Sequence, residues 1–130
     1  MVEVGCELPL LLKTPDRVQL VRYAGASGDF NPIHFDDEYA RSVGLPGVIA
    51  HGMLTMGFAA ELAGRFAGPD GRVEAITVRF TSIVRPGDTL AAGGSVRALI
   101  PPDGAEIAIT VRNQRGEQVL NGTARVAFSK

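Results

Sequence analysis

The chain has 130 residues, 45% of them hydrophobic and 21% charged, with 13 basic against 14 acidic side chains and a formal net charge of −1. That length fits one domain, 1–130, with a core of its own, and the composition excludes a disordered chain. No basic block favours nucleic acid as a partner and no apolar run reaches membrane-spanning length; the single cysteine, Cys6, has no partner for a disulfide and fits a reducing cytoplasm.

The opening MVEVGCELPL carries acidic groups and no basic stretch before an apolar run, unlike a secretory leader. Residues 4–12 read as a short strand weakened by Pro9. Thr14-Pro15-Asp16 reads as a helix start, with Thr14 as N-cap and Pro15 at the first helical position. Val18, Leu20, Val21, Tyr23 and Ala24 then give a short amphipathic helix, ended by Gly25 and Gly28. Residues 36–43 form a second short helix with Gly44 just past its end.

Residues 50–68 lack proline and are mostly apolar or small, with charge only at Glu61 and Arg65, four apart as in a helical pair. A helix apolar on most sides is buried, and its glycines and alanines admit another backbone. GPDG at 68–71 stops it. The period then changes: Ile76, Val78 and Phe80 alternate with polar residues. RPGD at 85–88 is a turn, and 90–100 is a strand in which Gly93-Gly94 marks a bend or bulge. Ile107, Ile109 and Val111 follow on a third strand, 113–118 is a hairpin loop, and Ala124, Val126 and Phe128 share one face of the last strand. Early helices followed by hairpin-linked strands give an α+β chain, an antiparallel sheet around one buried helix. The four later strands are too few to enclose that helix, so pairing of two chains extends the sheet.

SGDFNPIH, 27–34, carries the chemistry. Pro32 fixes its own φ and pushes Asn31 out of the α region, so a compact turn brings Asp29 and His34 over one spot while Asn31 bonds the loop's own backbone. A carboxyl and an imidazole there can orient a water and move its proton. The competing reading is an Asx turn at Asp29 and a satisfied loop histidine at His34; spacing leaves both open. In IAHGM, 49–53, Gly52 falls near the start of the buried helix, where an N–H lacks an internal acceptor and suits a developing oxyanion. The bland alternative is close packing at Gly52 and a His51 that only satisfies a nearby carbonyl. Asp29, His34 and His51 lack any recognised metal-ligand spacing, so no metal is expected. Cys6 reads as inert.

YAGASGDFNPIHFDDEYA, 23–40, and GVIAHGMLTMG, 47–57, resemble in order and spacing the signature blocks of the MaoC-like (R)-specific enoyl-CoA hydratase family. The resemblance covers most of the chain and is particularly close to the β subunit of mycobacterial-type (3R)-hydroxyacyl-ACP dehydratases. It implies a hotdog fold and reversible syn hydration of trans-2-enoyl thioesters, of CoA or acyl carrier protein, to (R)-3-hydroxyacyl thioesters without a cofactor. It also implies a homodimer, or a heterodimer with a second hotdog subunit. By resemblance the catalytic pair is Asp29 and His34. Asn31 takes the loop-supporting position at the substrate, and the Gly52 N–H meets the thioester carbonyl. Some members carry a serine further along the helix; here the nearby residues are Ala59 and Ala60. Arg79 or Arg85 would meet carrier phosphates along the dimer groove. Two rivals stand beside this reading: a hotdog thioesterase, with Glu61 as the only acid on the helix, and a non-catalytic subunit that shapes an acyl tunnel. The Asp-x-Asn-Pro-x-His loop favours hydration.

Overall fold

The last three strands bury apolar residues on one side and the strand before them packs partly buried side chains there, and the long helix covers that side. In the computed structural model, which describes residues 2–129, five antiparallel strands form one sheet in the order β1-β3-β4-β5-β2. The strands are β1 Leu11–Lys13, β2 Arg72–Phe80, β3 Leu90–Ile100, β4 Gly104–Arg112 and β5 Gln118–Ala127. The helices are α1 Arg17–Ser27, α2 Asp37–Ser42 and α3 Gly52–Ala67, with a 3₁₀ turn at Pro32–His34. Ile107, Ile109 and Val111 of β4 are buried as their alternation requires, and they meet Leu54, Phe58 and Leu62 of α3 in one core. Each such aliphatic side chain stabilises the fold by about 1.5–3 kcal/mol. Phe128 lies one residue past β5 and still packs on this core, its ring 5.4 Å from that of Phe66.

One row across the sheet alternates glycine with a branched side chain. Gly94 of β3 pairs with Ile109 of β4, which pairs with Gly122 of β5, which pairs with Val78 of β2. A Cβ on Gly94 would lie 2.2 Å from the Ala108 carbonyl oxygen, and one on Gly122 would lie 2.1 Å from that of Thr77. Both glycines therefore serve close backbone approach rather than a bulge. The irregularity in β3 falls between Val96 and Ala98 instead, which corrects the bend expected at Gly93-Gly94.

Three further expectations are corrected. The N-cap of α1 is Asp16, whose carboxylate accepts from the Gln19 N–H at 2.8 Å. Thr14 does not cap, because Pro15 is buried ahead of the helix and its carbonyl accepts from the Gly87 N–H at 2.8 Å. Gly25 lies inside α1; only Gly28, at φ 76°, ends it. The helix buries Leu20 and Ala24, an i, i+4 pair, and leaves Val18 and Val21 outward at 58% and 57% exposure. Finally, the first strand is split. Leu11–Lys13 pairs with β3, residues 5–8 touch β3 separately through Gly5, Cys6 and Leu8, and Pro9, which has no N–H to give, lies between.

Candidate active site

The left-handed glycine that stops α1 delivers the chain directly into the 29–34 loop. That loop is held by a relay of side-chain oxygens, each taking an N–H two residues ahead. Ser27 Oγ accepts from Asp29 N–H at 3.1 Å, Asp29 Oδ1 from Asn31 N–H at 3.2 Å, and Asn31 Oδ1 from Ile33 N–H at 3.2 Å. Asn31 is also the N-cap of the 3₁₀ turn, with Pro32 at its start. The amide of Asn31 thus supports the loop through its oxygen, as its turn chemistry predicts.

This relay sets Asp29 and His34 face to face. His34 is 7% exposed, and its Nδ1 donates to the Ile49 carbonyl oxygen at 2.8 Å. Because a carbonyl only accepts, the proton of neutral His34 sits on Nδ1 and leaves Nε2 with a bare lone pair. That lone pair lies 3.8 Å from Asp29 Oδ2. The separation is too long for a direct hydrogen bond but lets one water, about 2.8 Å from each atom, bridge them. The two carboxylate oxygens of Asp29 are divided: Oδ1 closes the Asx turn of the competing reading and Oδ2 faces the imidazole.

The entry to α3 completes the cluster. His51 is its N-cap residue, and Gly52, exposed, is its first residue. The Gly52 N–H has no acceptor inside the helix. Its chain neighbour His51 is stacked on His34, with ring centroids 3.6 Å apart and planes 21° apart. His51 Nε2 lies 3.2 Å from the Asp29 carbonyl oxygen, so the histidine does satisfy a nearby carbonyl, as the bland reading expected. Burial lowers its pKa from the ordinary imidazole value. Two contacts escaped the sequence: the Tyr23 and His51 rings pack edge to face with centroids 4.8 Å apart, and Phe80 of β2 covers Gly52 so closely that a Cβ there would lie 3.2 Å from its ring. Tyr23 and Leu54 also border an open groove of about 480 Å³ that runs along α1.

Other candidates stand apart. Asp29, His34 and His51 offer ligand atoms within 4.8 Å of one another, but an ion lies near the plane of each imidazole it binds, and the planes of these two stacked rings do not meet within metal–nitrogen reach. Glu61, nine residues along α3 from Gly52, is about 13 Å away at a rise of roughly 1.5 Å per residue. Lys13 at 2.9 Å and Arg65 at 2.8 Å hold it, and the Lys13 contact above all lowers its pKa. Arg79 and Arg85 are exposed and outside the ion pairs found among the described residues. Cys6 is exposed and free. No helix among the described residues is long and apolar enough to cross a membrane.

The segment carrying Ile49 is itself anchored. Asp37 Oδ1 accepts from the Val48 N–H at 2.9 Å and Oδ2 pairs with Arg17 at 2.8 Å; the Val48 bond is the main cause that lowers the Asp37 pKa below 3.8. A carboxyl with a depressed folded pKa contributes stability above 3.8 that is lost as pH falls through the folded value. Asp37→Asn keeps the acceptor for Val48 and removes the charge. It is expected to lower the melting temperature by no more than a few degrees near neutrality, with the gap to the native protein closing in acid. Thermal unfolding across pH reads both.

Residues 6–119 match the model of the MaoC like domain family. The (R)-specific enoyl-CoA hydratase of Rhodospirillum rubrum is 34% identical over 117 residues, 89% of this chain and 81% of that protein. The 3-hydroxybutyryl-CoA dehydratase of Methylorubrum extorquens is 34% identical over 131 aligned residues, 99% of this chain and 82% of that protein. Among solved structures, the unliganded R-hydratase PhaJ1 of Pseudomonas aeruginosa superposes with a TM-score of 0.89 at 32% identity, over 99% of this chain and 84% of that one.

Proposed function

The chain belongs to the MaoC-like family and has its hotdog fold, and from that premise we propose that it is an (R)-specific hydro-lyase. It adds water to trans-2-enoyl thioesters to give (R)-3-hydroxyacyl thioesters, and catalyses the reverse. The observation that carries this reading is the bare Nε2 of His34, 3.8 Å from Asp29 Oδ2, with Nδ1 tied to Ile49. The thioester carbonyl accepts from the Gly52 N–H, which draws electron density from Cβ and stabilises the enolate that forms. Water held by Asp29 and His34 attacks Cβ and gives one proton to the pair. The pair returns one proton to Cα, so the net change is one water added. Because a single pair on one side serves both carbons, hydroxyl and proton arrive on the same face, which is syn addition. The R configuration and the CoA carrier follow the named relatives, and exposed Arg79 and Arg85 suit the carrier's phosphates.

The free outer edge of β2, nine residues long, and the exposed Met53 and Phe80 at the site favour a second hotdog chain alongside. An identical copy is the simplest partner, and a different hotdog subunit fits the same edge. A single domain over 1–130 in a reducing cytoplasm accords with the exposed free Cys6.

The test is the purified chain with trans-2-butenoyl-CoA, following loss of enoyl absorbance and the configuration of the product, with the mass in solution measured beside it. An (R)-3-hydroxyacyl product supports the proposal. Release of free CoA thiol without hydration would make the protein a thioesterase instead. Micromolar monomers by sedimentation would rule out pairing.

A further inference from the structure

We propose that His51 is a positioning residue that fixes both members of the acid–base pair at once; the inference rests on the hydratase reading above. One buried ring, 2% exposed, makes two unlike contacts. Its face lies on His34 at 3.6 Å, and its Nε2 reaches the main-chain oxygen of Asp29 at 3.2 Å. His34 and Asp29 belong to one loop, but their reactive atoms are set by different degrees of freedom, the ring rotation of His34 and the backbone of Asp29. His51 restrains both.

Its protonation state follows from its partners. The Asp29 carbonyl only accepts, so Nε2 carries the hydrogen. Nδ1 is then a lone pair, and it is buried with no hydrogen-bond partner among the described residues. The titratable groups found against it are His34, the carboxyl of Asp29 and the phenol of Tyr23. Burial above all lowers the His51 pKa, with His34 acting the same way and the Asp29 carbonyl and carboxylate acting against it. A neutral ring presents its electron-rich face to His34 and favours any positive charge on that imidazole as the pair handles the water's proton; a charged ring there would oppose it.

The chain has two histidines, so nitrogen-15 NMR of the native protein and of His51→Gln assigns each ring without ambiguity. The native spectrum is expected to show His51 as the Nε2–H tautomer and His34 as the Nδ1–H tautomer. Gln at 51 retains an N–H for the Asp29 carbonyl without the ring; His51→Phe retains the ring without the donor. Each is expected to lower kcat for trans-2-butenoyl-CoA by about ten-fold with KM within about two-fold, and His51→Ala by about 100-fold, the scale for misplacing a reacting group by an ångström. Native kcat in both His51→Gln and His51→Phe overturns the inference. So does an Nδ1–H tautomer at His51, a result that does not depend on any variant folding. An inactive native protein would count against the hydratase reading instead, and the tautomers would still test the geometry.

Discussion

Asp29→Asn is expected to lower the hydration rate of trans-2-butenoyl-CoA by about 10²–10⁴-fold, the usual scale for losing an acid–base group, in a protein that unfolds at its native temperature. The reason lies in the division of labour between the two carboxylate oxygens. Oδ1 takes the Asn31 N–H at 3.2 Å, and an asparagine oxygen does the same. That bond orients the new amide, so its NH₂ takes the place of Oδ2 and faces the bare Nε2 of His34 across the 3.8 Å gap. The substitution removes one proton acceptor and blocks the other while the loop stays tied. His34→Ala is expected to lose activity on the same scale but is the less clean variant. It strands the Ile49 carbonyl, now bonded at 2.8 Å, and opens space under His51, at a cost of about 1–3 kcal/mol for the unpaired group. Native rates in Asp29→Asn, measured beside a melting curve, would overturn the assignment of the pair.

The largest expected effect on stability belongs to Gly122→Ala. A methyl there would sit 2.1 Å from the Thr77 carbonyl oxygen and 2.9 Å from Val78 Cα, both main chain of the paired strand β2. Main chain held in a ladder has no rotamer to give, so β2 and β5 must part near the middle of their pairing. Destabilisation of at least about 1–3 kcal/mol follows, the range for overpacked sites. Gly25→Ala is the control. It lies exposed inside α1 with nothing within 4 Å of the added carbon, and it is expected to raise stability by roughly 0.5–1 kcal/mol through helix propensity. Denaturant titration of the two variants reads opposite shifts in midpoint; equal midpoints would refute the close backbone approach at Gly122.

The parts of this molecule that sequence reading reached are those written in local chemistry. Asp29, Asn31, Pro32 and His34 fall within one turn, and turn residues act on the backbone two or three positions away. Gly52 is legible as a helix start because an apolar, proline-free run announces a buried helix and so its first N–H. The alternation at Ile107, Ile109 and Val111 gave a strand by its period alone. What escaped depends on contacts between distant segments. Phe80 covers Gly52 only because β2 returns past the start of α3, and Gly122 is confined only because of its register against Thr77 and Val78. The sequence points to Thr14 as the cap of α1, whereas Asp16 takes that place, with Pro15 held ahead of the helix by the 85–88 turn far along the chain.

The relay of oxygens from Ser27 to Ile33 makes the reactive geometry portable. The side-chain bonds within the 27–34 segment all join residues two steps apart, and the outside contacts on it include the main chain of Ile49, which bonds both Ile33 and the His34 ring, and the ring of His51. Length changes in the β3–β4 or β4–β5 connections should therefore leave the spacing of carboxyl and imidazole untouched, whereas one inserted residue between 27 and 34 would break the odd-numbered phase and scatter it. The segment behaves as a cassette, and grafting it onto another scaffold would demand only a carbonyl and a flat ring at the right places.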